Sequence, residues 1–454
     1  MREIIITLLA LFIWESNFGQ INKGIKLTNE EKIFGLSQIW KEVDYNFPLL
    51  DKYDLDWDSL YLETIPEVLK TKDTDEYYQV LKRFLCVFHE GHTTVVPPSK
   101  PLNYGVIDLA IKYIDSNFFI VGVGKSINGK VRLGDRVIKI NGIDVKKLID
   151  SVYYPYHHYD KRIVYNMATN TLLYGPLNKS LYIEFEREKS SFIINIKRKK
   201  KFGEWDSYKT ISSRTYFKYK KYDDIAYVKI GTFSSYKIIE QFERYIDSLK
   251  NSKGIIIDLR NNFGGTSYGY LLAKYFISDT SFVNGIRVTK EHNAYLKAQG
   301  ALNDTNIRIL IKLKQKLDTI NKYSNYYNGT NYDTTVFTAT NTERKSAGIF
   351  RDKKLVVLIN NYTASAAETF LLTLQYNSIG TIIGTGTYGS TGQPLIVPLP
   401  GGGYAKIITN IPLTNNGKYY NYILPDIQVN LTIEDYLQKN DRVLLNAIKY
   451  INQN

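Results

Sequence analysis

The chain has 454 residues, 44% of them hydrophobic and 23% charged, enough apolar material for two or three domains with cores of their own. Its net charge of +14 is carried by dispersed lysines, which argues against nucleic-acid binding, and the single cysteine, Cys86, excludes an internal disulfide framework and a cysteine-based metal site. The 38 tyrosines accompany frequent Lys, Asn and Ile and mark coding bias rather than a binding surface. The N-terminal segment MREIIITLLALFIWESNFGQ sets Arg2 before a mostly apolar run from Ile4 to Trp14. That is the layout of a secretory signal peptide over residues 1–19, with cleavage expected before Gln20. The run is shorter than the about 20 residues a membrane span needs, and no later segment is long and apolar enough to be one. Export to the periplasm or the exterior is expected, with no transmembrane segment after signal removal.

Residues 20–98 read as helical. Thr28 followed by Glu31 forms a capping-box pattern. Apolar residues then recur at helical spacing through Ile33, Leu36, Ile39 and Trp40, and again through Val80, Leu81, Phe84, Leu85 and Phe88. Pro97 and Pro98 end the region. Residues 99–215 change period, with short β runs at 118–123, 136–140, 180–185 and 191–196. Among them lies VRLGDRVIKINGIDVKKLID, residues 131–150, with tight turns at Gly134–Asp135 and Asn141–Gly142. This run resembles the ligand-binding half of a PDZ domain, where an extended peptide adds as a strand to the sheet edge. Residues 151–178 read as an insertion in it. The basic run Lys197–Lys201 reads as a solvated strand end.

From 216 to the C-terminus, strands and helices alternate: 225–230, 254–259, a helix over 268–276, then 355–359 and its helix. That is α/β order with parallel strands. Residues 281–350 interrupt it with polar, partly helical, lid-like character. Thr432 and Asp435 begin a last helix that runs through Ala447 and Ile451.

Three segments carry chemistry. LVVLINNYTASAAETFLL, residues 355–372, places Ser365 between a buried strand and the first turn of a helix. Unpaired N–H groups and the positive end of the helix dipole lie there, so the serine is either a cap or a nucleophile. GIIIDLRNNFGG, residues 254–265, ends in Gly264–Gly265, whose backbone can approach a ligand closely. One of these glycines and Ala366 would supply the N–H donors of an oxyanion hole. FHEGHTTV carries His92, a side chain able to take a proton at neutral pH. His89, Glu90 and His92 are too closely spaced for a metal site without a further ligand, and no cofactor is expected.

Taken in order, "DLR-x-N-x-GG" at 258–265, "SAAE" at 365–368, "GT-x-T-x-G" at 384–389 and "PD-x-x-V" at 425–429 resemble the C-terminal processing and tricorn-type serine peptidases. The resemblance implies a ClpP/crotonase-like α/β core preceded by a PDZ-like domain and an N-terminal helical region. One branch of the family activates its serine with a lysine, and the matching position here is Ser390. The tricorn-like branch uses a histidine in a "DGHT" segment, matched by Glu90–Gly91–His92–Thr93. That branch orients its histidine with a glutamate shortly before the "PD"; here Tyr419 or Tyr420 stands there. Glu90, Glu368, Asp426 or a tyrosine hydroxyl such as that of Tyr419 are the remaining candidates. The implied activity is that of an exported serine endopeptidase with a Ser365–His92 mechanism acting on a peptide or protein, its tail recruited by the PDZ-like domain. A catalytically degraded member that binds peptides or apolar ligands, and an esterase or amidase, are the alternatives.

Overall fold

Three helices open the described part of the chain: α1 (Asn29–Asn46), α2 (Trp57–Lys70) and α3 (Thr74–Cys86). The structure, a computed structural model, describes residues 26–98, 104–154, 161–169, 171–208, 215–266, 268–301, 317–340, 347–390, 392–419 and 422–453. The expected signal peptide, His157–His158 and Tyr420 lie outside these residues. The α1 capping box forms: the Glu31 N–H donates to Thr28 Oγ1 at 3.2 Å and the Thr28 N–H to Glu31 Oε2 at 2.8 Å. Asp56 and Asp73 cap the other two helices. The helices bury Leu36, Ile39, Val43, Leu81 and Phe84, yet they do not close this core alone. Val397, Leu399, Ala405, Ile407 and Ile408, from the far end of the chain, complete it. Strand β1 (Thr94–Val96) pairs antiparallel with residues 404–406, so the backbone after His92 is stitched to the C-terminal half.

The second unit is an antiparallel sheet of seven strands. Its longer members are β2 (Leu109–Ile114), β3 (Asn117–Gly124), β4 (Arg136–Ile140), β5 (Ser180–Arg187), β6 (Ser190–Lys197) and β7 (Trp205–Tyr208). They run in the order β7-β3-β4-β5-β6, with β2 on β3. Asn141 and Gly142 both take positive φ, 49° and 80°, which a two-residue hairpin turn of matching twist requires. Helix α4 (Lys161–Ala168) forms within the insertion and buries Val164 and Ala168 in this core. In the basic run, Arg198 is buried and Lys199 pairs with Asp108 at 3.0 Å, leaving Lys200 and Lys201 exposed.

The third unit contains the strands β8 (Phe217–Tyr222), β9 (Ile225–Ile230), β10 (Gly254–Asp258), β13 (Lys354–Ile359), β14 (Thr381–Gly384) and β18 (Ile427–Gln428). They form one six-stranded sheet in that order, antiparallel at β8 and parallel from β9 onward. Every residue of β9 and β10 is buried, as a sheet covered on both faces demands. Helices α5 (Tyr268–Ala273) and α6 (Ala366–Tyr376) cover one face, where Leu272, Phe370 and Leu371 pack. Helix α7 (Arg442–Asn452) covers the other with Val443, Ala447 and Ile451. Among the described residues no helix is long and apolar enough to cross a membrane.

Two readings change. Residues 281–340 contain a long hairpin, β11 (Ser281–Lys290) with β12 (Tyr332–Thr340), and a helix over Leu317–Tyr327 between them. The threonines that make YDTTVFTAT look polar are β-branched and suit a half-exposed strand. Strand β17 (Asn410–Pro412) extends this sheet along the other edge of β11. A third sheet joins β1 to β15 (Pro394–Pro398) and β16 (Tyr404–Ile408). The last helix is two: Ile433–Gln438 ends where Lys439 turns left-handed (φ 56°), and Asp441 caps α7 by accepting from the Leu444 N–H at 3.1 Å.

Candidate active site

Strand β13 is apolar and β-branched, and it ends where Asn360–Thr363 make a tight turn. The Asn360 N–H donates to Thr363 Oγ1 at 3.0 Å, and Thr363 Oγ1 donates to the Leu259 carbonyl at 3.0 Å. Asn360 Nδ2 donates to Asn261 Oδ1 at 2.9 Å. The ends of β10 and β13 are therefore sewn together, and the chain must reverse sharply into α6. Ser365 takes that reversal at φ 56°, ψ −120°. Ordinary caps in this chain, Thr28, Asp73 and Thr432, sit in extended backbone instead. A non-glycine residue at positive φ is strained and persists only where its surroundings over-determine it. Here Glu368 supplies the restraint. Its carboxylate is fully buried and accepts from the N–H groups of Ser365, Gly389 and Ser390, each at 3.0 Å, and from Thr387 Oγ1 at 2.6 Å. Burial raises its pKa against the pull of these donors. Glu368 thus holds the elbow rather than a histidine ring.

The glycine strand runs directly against this elbow. A Cβ on Gly264 would stand 2.8 Å from Ser365 Cβ and 2.7 Å from Ala366 N, and φ is +88° there. The Gly264 N–H already donates to Asn262 Oδ1 at 2.8 Å. Of the two glycines, that leaves Gly265 as the candidate donor. Neither the Gly265 nor the Ala366 N–H has a hydrogen-bond partner among the described residues. Asn262, the asparagine of the DLR-x-N-x-GG run, had no role assigned from sequence, yet it clamps the strand: Nδ2 donates to the Ile230 carbonyl at 3.1 Å, and its backbone carbonyl accepts from the Ala364 N–H at 2.9 Å.

His92 reaches the same segment from the N-terminal side. Its ring Nδ1 lies 3.2 Å from the Gly392 carbonyl oxygen. A carbonyl only accepts, so Nδ1 carries the proton and Nε2 keeps its lone pair. Burial lowers His92 to about 4, against the upward pull of the Gly392 carbonyl. Glu90 does not face the ring. Its Oε1 accepts from the His92 N–H at 2.9 Å, and its Oε2 accepts from Thr93 N–H at 2.7 Å and Thr93 Oγ1 at 2.8 Å. Burial raises Glu90 to about 7, and the charge of nearby Glu368 adds to the rise. The segment 387–392 therefore ties both residues: Glu368, which holds Ser365, grips it at Gly389 and Ser390, while Gly392 holds His92.

Among the described residues, none of the remaining candidates has a hydrogen bond to the ring. Asp426 Oδ2 accepts from the Ile382 N–H at 2.7 Å and so secures β14. Tyr419 is 50% exposed and pairs through its backbone with Leu413. Ser390, where a lysine would stand, is buried. Nearby Lys229 is bound to Asp258 at 3.1 Å and to the Arg260 carbonyl. Burial alone would raise Asp258, but Arg260 and Lys229 outweigh it and hold that carboxylate well below its usual range. No group of three metal-ligating side chains occurs among the described residues.

Residues 224–429 match peptidase family S41. Mature CPAF complexed with lactacystin has a similar fold, with a TM-score of 0.69 at 15% identity over 94% of this chain and 99% of that one. Mature CPAF without it gives a TM-score of 0.69 at 15% identity over 94% and 98%. A protein from Parabacteroides merdae gives 0.53 at 17% identity over 94% and 97%. At such identities these likenesses concern the fold alone. No curated protein sequence matches the chain.

Proposed function

We propose that this chain, whose residues 224–429 match peptidase family S41, is an exported serine endopeptidase in which Ser365 is the nucleophile and His92 the base. Ser365 Oγ attacks the peptide carbonyl while His92 Nε2 takes its proton. The N–H groups of Gly265 and Ala366 receive the oxyanion. His92 then returns the proton to the leaving amine, and water hydrolyses the acyl-enzyme by the same route in reverse. The Gly392 carbonyl replaces an orienting carboxylate: it selects the tautomer but brings no negative charge to the imidazolium. The antiparallel unit over residues 104–208 is proposed to be PDZ-like and to recruit an extended tail. The apolar N-terminal run is proposed to direct export.

The strained backbone of Ser365, set between a strand and a helix beside two N–H groups that have no partner among the described residues, is the observation that carries this reading. A fluorophosphonate probe followed by intact-mass and peptide mapping tests it. One adduct on Ser365 is expected, with labelling slowed about 100-fold or more in His92→Ala. Absence of an adduct on correctly folded protein would overturn the assignment.

A further inference from the structure

Lys112 stands out among the lysines. On β2 it leaves the antiparallel unit toward the catalytic elbow, with its Nζ 5.1 Å from the ring centroid of Tyr362. Tyr208 and Tyr436 lie close enough for their hydroxyls to act on its charge. Other lysines placed against the body of the protein have a partner for the ammonium: Lys139 has Glu184, Lys199 has Asp108, Lys229 has Asp258, and Lys32 and Lys290 have the carbonyls of Thr71 and Asp44. Lys112 is half-buried and, among the described residues, its ammonium has neither an ion pair nor a hydrogen bond. A cation drawn away from water without a counter-charge is costly, and tyrosine faces lower that cost without supplying a negative charge.

The surroundings lead from this cation to the oxyanion donors. Tyr362 is 9% exposed and stands three residues before Ser365. Its hydroxyl donates to the Asn166 carbonyl of α4 at 3.1 Å, which fixes the ring under Lys112. Phe263, whose ring centroid is 5.8 Å from that of Tyr362, directly precedes Gly264–Gly265. It is 44% exposed, an apolar surface that a substrate side chain would cover. Ring to ring to ammonium, the path spans what about three residues of extended peptide cover, at about 3.3–3.6 Å each.

We propose that Lys112 is a specificity residue: it receives a carboxylate of the substrate, carried a few residues from the scissile bond, while Phe263 and Tyr362 cover an apolar side chain between them. The inference rests on Ser365 being the nucleophile for its placement on the substrate, but not for its test. The carboxylate is either an acidic side chain or the chain's own C-terminus. Both sources present the same group to the ammonium.

The experiment uses labelled peptides in matched forms: Glu against Gln at each position near an apolar residue, and a free C-terminal acid against the amide. Their binding is measured on the Ser365→Ala protein, so the readout needs no turnover. Acid forms are expected to bind about tenfold or more tightly than amide forms, as one desolvated charged hydrogen bond provides. In Ser365→Ala/Lys112→Met the acid and amide forms should bind alike, with the amide affinity kept, which also shows the site still folded. Lys112→Glu should prefer Lys-bearing peptides. Preference at the Glu position assigns a side chain, and preference at the terminus assigns the chain end. Equal binding of acid and amide forms to Ser365→Ala, or a preference that survives Lys112→Met, would overturn the proposal. Failure of Ser365 to label with fluorophosphonate, with acid preference intact, would overturn the nucleophile assignment alone.

Discussion

Two glutamates, Glu368 buried and Glu90 half-buried, stand behind the two candidate catalytic residues, each gripping a backbone N–H. Glu368 holds Ser365 and Glu90 holds His92. Their titration and that of His92 oppose each other. Burial raises Glu90 from 4.5 to about 7, so its stabilisation is full below about 4.5 and is lost as pH rises through 7. Burial lowers His92 from 6.5 to about 4, so its stabilisation is full above 6.5 and is lost as pH falls through 4. The shifts are similar in size, and their stability effects largely offset between pH 4.5 and 6.5. Reactivity does not offset, because in the proposed mechanism only His92 is the base. The rate of fluorophosphonate labelling at Ser365 should hold near its plateau down to about pH 5 and fall toward pH 4. An inflection near 6.5 would mean a solvated imidazole and would sink the buried-base geometry. Glu90→Gln replaces one acceptor oxygen with an NH2 group facing donors. It should slow labelling about tenfold at every pH without moving the acid limb, through a loosened His92–Thr93 turn.

At the scale of elements, the strand-to-helix elbow was legible because its parts are local. A β-branched run, a short polar turn and a helix-forming run follow one another within residues 355–372. The α1 cap was legible for the same reason. What orients His92 was not, because the group is a main-chain carbonyl 300 positions away that carries no side-chain signature. The choice between Gly264 and Gly265 turned on a side chain, Asn262, that takes one N–H. The 281–340 hairpin was hidden by threonines that read as polar. The motif DLR also proved structural in its charges. Asp258 accepts from Tyr227 Oη, Lys229 and Arg260, and Arg260 reaches on to Asp441 at 2.7 and 2.8 Å. This network ties the β10 end to the start of α7 beneath the glycine strand. Arg260→Met would leave Asp258 buried with one cation fewer and should cost about 3–5 kcal/mol in urea unfolding. Asp441→Asn keeps the cap on α7 and its outer position, and should cost clearly less. Equal losses would show that the inner pair carries no special weight.

Across the whole molecule, the two candidate catalytic residues come from regions that would otherwise read as separate domains. His92 follows the N-terminal helices, and Ser365 belongs to the α/β unit. The helices cannot be an independent body, since their core is completed by the β15–β16 hairpin. Tyr78 shows how close that union is. It is 2% exposed; its hydroxyl donates to the Pro400 carbonyl and accepts from the Gly403 N–H, both at 2.8 Å. Strand β16, which follows Gly403, pairs with β1, and Ile408 donates its N–H to Thr93 Oγ1 at 3.3 Å beside His92. Helix packing, hairpin and base position are thus one mechanical chain. Tyr78→Phe keeps the ring and removes the hydroxyl, leaving a buried carbonyl and a buried N–H unpaired. It should lower unfolding stability by about 1–3 kcal/mol. It should also slow labelling of Ser365 at neutral pH, although Tyr78 touches neither candidate catalytic residue. If helix and hairpin are one unit, tryptophan fluorescence of α1 and α2 and far-ultraviolet circular dichroism should report a single shifted midpoint. Two separated transitions, with labelling unchanged, would show that the N-terminal helices melt apart from the core and that His92 is held by β1 alone.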